Sequence, residues 1–135
     1  MALKSLLADP VINAVATLAA SHSDVAVLWL YGSRATNRAH AQSDYDLAIA
    51  FNNFKLSHFD KYIRPNELAL QWSEQLGLPS DKLSIVDINQ VPIYLAYSIV
   101  DSGTIIYQED SSRAYHEQDR IYSMYEYQKR VASYD

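Results

Sequence analysis

Stretches of helical periodicity alternate with short apolar runs along this chain of 135 residues, which predicts an α/β (α+β) fold: a small mixed β-sheet with flanking helices. Two runs sharpen that prediction. Residues 25–31, Val-Ala-Val-Leu-Trp-Leu-Tyr, are continuously apolar, as in a strand covered by helices on both faces. Residues 45–51 read as a second strand with two unlike faces: Asp44, Asp46, Ala48 and Ala50 fall on one side, and Tyr45, Leu47, Ile49 and Phe51 on the other.

The remaining elements follow in chain order. Asp9-Pro10 opens a helix over about residues 10–21, because Asp caps free amides and Pro at the first helical position loses no useful donor. Val11, Val15, Leu18 and Ala19 line its apolar face, and Ser21 to Asp24 punctuates it before the first strand. A polar stretch, Ser33 to Ser43, separates the two strands. Pro65-Asn66-Glu67 is read as the opening of a second helix, which presents Leu68, Leu70 and Trp72 before Gly77 stops it. A third strand is expected over Leu83 to Ile88, a helix over Val91 to Val100, and a short strand over Thr104 to Tyr107. From Ser111 to about Ala132 the chain lacks Gly and Pro and spaces Ala114, Ile121, Tyr122, Met124 and Tyr125 as an amphipathic helix does. No repeat, low-complexity tract or linker interrupts residues 1–135, which are read as a single domain.

Composition narrows the function. Apolar residues make up 49% and charged residues 20%, a globular balance that excludes disorder as the main state. The net charge of −5 disfavours loose electrostatic binding to nucleic acid or anionic lipid. With no cysteine, disulfides, zinc–thiolate sites, iron–sulfur clusters and thiol catalysis are excluded together. Met1 to Ala8 carries no secretory h-region, and no apolar run approaches the ~20 residues of a membrane helix. A soluble, cytoplasmic protein is the expectation.

The chemistry concentrates between Gly32 and Asp46. Glycine at a strand end lets the backbone turn tightly, and the amides that follow can form an anion-binding nest, so Gly32 and Ser33 are candidate phosphate ligands. Residues 34–39 suit a short helix whose amino end faces the same phosphate, with Arg34 placed to contact it; Arg34 and Arg38 are otherwise ordinary surface charges. Asp44 and Asp46 share one side of a strand, and two close carboxylates repel unless a cation lies between them. An oxygen-only pair suits magnesium carrying a nucleotide's phosphates. His40 reads as a solvated loop residue, and Ser43 either braces Asp44 or ends the loop.

The segment GSRATNRAHAQSDYDLAIAF, Gly32 to Phe51, resembles the DNA polymerase beta-like nucleotidyltransferase superfamily, marked by Gly-Ser, a spacer and Asp-x-Asp on the next strand. The short chain and ten-residue spacer are similar to minimal nucleotidyltransferase (MNT) domains, especially the MntA-type antitoxins encoded beside HEPN-domain ribonuclease toxins. The resemblance implies that Gly32 and Ser33 hold the triphosphate of ATP, that Asp44 and Asp46 are catalytic and coordinate Mg2+, and that AMP passes to a tyrosine of the partner toxin. It also implies a third acid on a later strand. Here Ser84 best matches that position. Asp87, three residues on, is carried as a third candidate metal ligand, although on an ideal strand it faces the opposite side and needs a bulge or register change to reach the metal.

Other readings stay open. A non-catalytic antitoxin could mask its toxin by binding alone, and nucleotidyl transfer could serve a small molecule or an RNA end. Tyr115, Tyr122, Tyr125 and Tyr127, with Arg120, Lys129 and Arg130, make the last helix a candidate partner surface; the plainer alternative is that its rings cover the sheet.

Overall fold

The computed structural model describes residues 2–133. Those residues form a four-stranded mixed sheet in the order β3-β2-β1-β4. The strands are β1 (Val25–Tyr31), β2 (Tyr45–Phe51), β3 (Leu83–Asp87) and β4 (Thr104–Gln108). β1 is antiparallel to both β2 and β4, and β2 runs parallel to β3. The helices are α1 (Leu3–Leu6), α2 (Pro10–Ala20), α3 (His58–Leu76), α4 (Ile93–Ser102) and α5 (Ser111–Ala132).

Strand parity splits the core into two layers. On one face, Leu28 and Leu30 of β1 and Leu47, Ile49 and Phe51 of β2 pack with Ile12 and Val15 of α2 and Leu68 and Trp72 of α3. On the other, Trp29, Ala48 and Ala50 pack with Ile93, Ala96 and Ile99 of α4 and Ala114 and Ile121 of α5. The small Ala48 and Ala50 are what let α4 and α5 approach, so the face that carries Asp46 becomes core farther along the same strand. An irregularity between Val25 and Val27 resets the alternation, which turns Val27, Trp29 and Tyr31 toward α4 and α5.

The caps explain most helix boundaries. Asp9 accepts from the Val11 amide at 2.8 Å, opening α2 where Asp-Pro predicts. Gly77, at φ +67, ends α3 with a 2.9 Å bond from the Leu78 amide back to Ser73 O, a Schellman closure. The start of α3 differs from expectation. The helix begins at His58, capped by the Ser57 hydroxyl on the Asp60 amide (3.1 Å), and Pro65 lies inside it. An interior proline costs about 3 kcal/mol, yet Pro65, Leu68, Ala69, Trp72 and Ser73 make one continuous buried stripe, whose packing offsets the lost bond. α4 begins two residues later than expected because Gln90 and Val91 donate to Asp87 O in a turn that Pro92 terminates. α1 was not expected; four residues are too few for a periodicity, and packing of Leu6 into the core holds it.

Candidate active site

β1 delivers Tyr31 and then Gly32, which adopts φ +78, a conformation that side chains rarely tolerate. The chain winds through one turn, with the Ala35 amide on Gly32 O (3.1 Å) and the Thr36 amide on Ser33 O (3.3 Å). Asn37, at φ +60, then reverses it, and the Arg38 amide closes on Ser33 O at 3.0 Å. The short helix expected over residues 34–39 therefore stops after one turn. Among the described residues, the amides of Ser33 and Arg34 meet no protein acceptor, which leaves two adjacent donors at the mouth of the turn.

The carboxylates stand next to this turn. Asp44 is exposed at the entry to β2, and Asp46 is half-buried one alternation on, paired in register with Tyr31 of β1 and Ser84 of β3. The Asp46 carboxylate lies over the Gly32 Cα: a Cβ built there would sit 2.5 Å from its Oδ2. Gly32 thus serves twice, by its positive φ and by leaving space for Asp46. Burial, and then repulsion from Asp44, raises the Asp46 carboxyl above its ordinary value. Burial and the nearby Asp46 push the Tyr31 phenol up to about 12, so Tyr31 is a neutral wall of the site. A pair of acids that no cationic side chain answers among the described residues, beside free amides, fits a hard divalent cation with its phosphates. Tyr31 was missed as a site residue; its place just before the strand-end glycine is the signal that marks it.

The structure redirects Arg34. Its Nε and Nη2 donate to Ser43 O at 3.1 and 2.7 Å, its Nη1 lies 3.6 Å from Asp9 Oδ2, and its guanidinium stacks 3.9 Å from the Tyr45 ring centroid. Tyr45 and Asp46 point to opposite faces of β2, so Arg34 straps the loop to the α2 side, away from the carboxylates. The Tyr45 hydroxyl completes the strap by donating to Asp9 Oδ2 at 2.9 Å. Arg38 stays on the loop, its Nε donating to Thr36 Oγ1 at 3.2 Å. Ser43 Oγ accepts from the His40 amide at 2.9 Å and His40 Nδ1 from the Gln42 amide at 3.1 Å, so both residues shape the loop.

The structure places Asp87 apart from the Asp44–Asp46 pair. In the parallel ladder Ser84 is the partner of Asp46, whereas Asp87 is the partner of Ile49 and shares its face. No bulge turns it around. Its Oδ2 lies 3.5 Å from Arg64 Nη2, and its Oδ1 accepts from the Asn89 amide at 2.9 Å. Arg64 also bonds Asp24 Oδ2 at 3.1 Å and stacks 4.0 Å from the Phe51 ring centroid. Among the described residues no group of three or more His, Cys, Asp or Glu is arranged to hold a metal ion. A cleft of about 240 Å³, lined in part by Asp24, Phe51, Arg64 and Glu67, lies at the Phe51 end of β2, away from Asp46.

The last helix divides its tyrosines. Tyr125 stacks on Tyr97 of α4 at 3.7 Å between centroids, and Tyr122 meets Tyr97 edge-on at 5.4 Å. Arg120 is inward, its Nη2 donating to the buried Glu117 at 3.0 Å, and Arg113 reaches Phe51 O at 3.0 Å. Tyr115 and Tyr127 are left exposed, as are Lys129 and Arg130.

Comparison with known proteins agrees with this fold. The family model described as "Polymerase beta, Nucleotidyltransferase" matches residues 13–112. A protein adenylyltransferase MntA of Aphanizomenon flos-aquae is 33% identical over 88 residues, 62% of this chain and 57% of the relative, so the match spans little more than half of that protein's length. A solved toxin–antitoxin structure with AMP-PNP superposes with a TM-score of 0.72 at 19% identity, covering 90% of this chain and 92% of that one. A complex of tri-AMPylated Shewanella oneidensis HEPN toxin with MNT antitoxin superposes at 0.66 and 17% identity, covering 91% and 90%. With the matching model spanning well over half its length, this chain belongs to the polymerase beta nucleotidyltransferase family.

Proposed function

We propose that the chain is a Mg2+-dependent protein adenylyltransferase and an antitoxin: it transfers AMP from ATP to a tyrosine of a cognate HEPN ribonuclease in the cytoplasm and so neutralises it. The observation that carries the reading is the Asp46 carboxylate held against a glycine with no room for a side chain, beside two free amides and a second acid. Family membership and the MntA relative support the reaction class.

In this reading the turn at Gly32 presents the Ser33 and Arg34 amides to the triphosphate, and Asp44 and Asp46 hold Mg2+. When bound, the ion supplies positive charge against the α-phosphate and the departing pyrophosphate. The phenolic oxygen of the acceptor forms a bond to the α-phosphorus as the bond to the pyrophosphate oxygen breaks. Asp44, the exposed acid, takes the phenolic proton and passes it to solvent. Tyr31 walls off water on the β1 side, and the Arg34 strap fixes the loop that carries Ser33. Tyr115, Tyr127 and Arg130 supply part of the toxin-facing surface; replacing them by Ala is expected to weaken the complex without unfolding the chain, as co-purification would register.

Incubating the chain with Mg-ATP and the HEPN protein encoded beside it, then weighing that protein, tests the reading. A gain of one or more AMP units on tyrosine is expected. A second reading, an antitoxin that masks its toxin without chemistry, is favoured by Ser84 standing where the superfamily resemblance implies a third acid. Inhibition of the toxin with no gain in mass would establish that reading instead.

A further inference from the structure

Tyr31, Asp46 and Ser84 are ladder partners across β1, β2 and β3, so their side chains stand in one row on one face of the sheet. The next place in the row is vacant because β3 is an edge strand. The backbone of that edge is also unsatisfied. The Tyr45 amide donates to Lys82 O at 2.8 Å and the Ile88 amide to Ile49 O at 3.0 Å, so the even-numbered residues of β3 turn their peptide groups toward β2. By alternation, Leu83 and Ile85 turn theirs outward, where among the described residues they meet no partner. Within β3 there is neither the Lys nor the Pro that commonly protects such an edge.

Beside this edge runs a groove of about 350 Å³ between β3 and α3, lined by Asn66, Ala69, Leu70, Asp81, Leu83 and Ile85 and reaching Ser84. Leu70 is 53% exposed there, an apolar anchor with nothing on it. The groove therefore borders the unpaired edge of β3, where Leu83 and Ile85 are each 3% exposed, and meets the Asp46 row at Ser84.

We propose that the acceptor tyrosine arrives on an extended segment of the partner protein that adds to β3 as a further strand, with the tyrosine in the row of Tyr31, Asp46 and Ser84. Strands lie about 4.8 Å apart, so that position is about 10 Å from Asp46 across the sheet, a gap that a tyrosine leaning back over a small side chain spans. Serine at residue 84 then keeps the acceptor path open, since a longer side chain there would block the ring. Asp81 in the groove favours a segment with Lys or Arg near the tyrosine. A helix laid in the groove would leave the outward amides of Leu83 and Ile85 unmatched, which is why an extended segment is the occupant.

This inference rests on the adenylyltransferase reading, and its test separates the two. The full chain is mixed with the HEPN protein encoded beside it, Mg2+ and α,β-methylene ATP, which halts the reaction before transfer, and backbone amide exchange is followed. The Leu83 and Ile85 amides are expected to exchange at least about tenfold more slowly than in the free chain. With ATP, Leu70→Glu is expected to raise KM for the partner about tenfold while leaving kcat and Mg-ATP affinity unchanged, since Leu70 lies in the groove and not among the nucleotide ligands. Transfer that proceeds with those amides exchanging as in the free chain, or with Leu70→Glu kinetically silent, overturns the strand-addition proposal alone. No transfer by the unsubstituted chain overturns the adenylyltransferase reading, and this proposal with it.

Discussion

Asp46 and Asp87 lie on adjacent strands, and burial raises both carboxyls, yet the two belong to different kinds of site. Asp87 faces α3, where Arg64 lies 3.5 Å away and the Asn89 amide donates at 2.9 Å, so the fold itself answers its charge. Asp46 faces the other way, and the charged group that raises it further is another acid, Asp44. Among the described residues no cationic side chain pairs with either carboxylate, which is what the proposed cation site requires. The contrast teaches how to tell a structural acid from a functional one: by the sign of the nearest charge rather than by burial.

Removing either half of the uncompensated pair should have the largest effect. Asp44→Asn or Asp46→Asn is expected to lower AMP transfer about a thousandfold while the unfolding midpoint stays at or above that of the unsubstituted chain. Quantitative mass spectrometry of the acceptor and a thermal melt check the two halves of that statement. Normal transfer in both variants would remove the distinction between Asp46 and Asp87.

On the compensated side the cost falls on stability. Arg64→Ala strands both Asp24 and Asp87 and removes the stack on Phe51, so a loss of about 3 kcal/mol is expected in urea unfolding. Transfer activity of the fraction that remains folded should be unchanged, because Arg64, Asp24 and Asp87 make no contact with Asp44, Asp46 or the Gly32 turn. Gly32→Ala sits between the two cases. The positive φ costs about 1 kcal/mol, and the new methyl displaces the Asp46 carboxylate, so a modest fall in Tm should accompany a much larger loss of Mn2+ affinity by calorimetry.

That contrast was only partly legible in the sequence. The strand pair flanking Gly32 and Asp46 was readable because seven apolar residues and a strict alternation each specify a strand with its faces, and the parity of Asp44 with Asp46 follows from the alternation alone. Ser84 as the ladder partner of Asp46 depends on strand pairing, which no local pattern encodes. Arg34 was read as a phosphate ligand because it follows the glycine turn; its destination was set by Tyr45 and by Asp9, twenty-five residues earlier in the chain, which only the folded arrangement brings together. Pro65 was misleading for the opposite reason. It is a strong local signal for a helix start, yet the Ser57 cap opens the helix at His58, two turns earlier, and the buried stripe that begins at Pro65 holds the proline inside it.

The smallest effect is the most direct probe of the difference. In the native chain Asp87 binds its proton more tightly than in the unfolded chain, so between the ordinary carboxylate value and its raised value the native state holds more protons, and stability falls as pH rises through that window. The ionised group's cost is complete above the raised value. Asp87→Asn removes this slope, so its urea midpoint should gain on that of the unsubstituted chain from pH 4 to pH 7, by less than about 1 kcal/mol. Asp46→Asn should behave the same way without metal, since Asp46 is raised as well. Adding Mg-ATP at pH 7 should separate them: it stabilises the unsubstituted chain through an ionised Asp46 and reverses the order at that position, while the Asp87→Asn difference stays where it was. If both differences move together on adding Mg-ATP, the cation is bound elsewhere, and the two aspartates differ only in their neighbours.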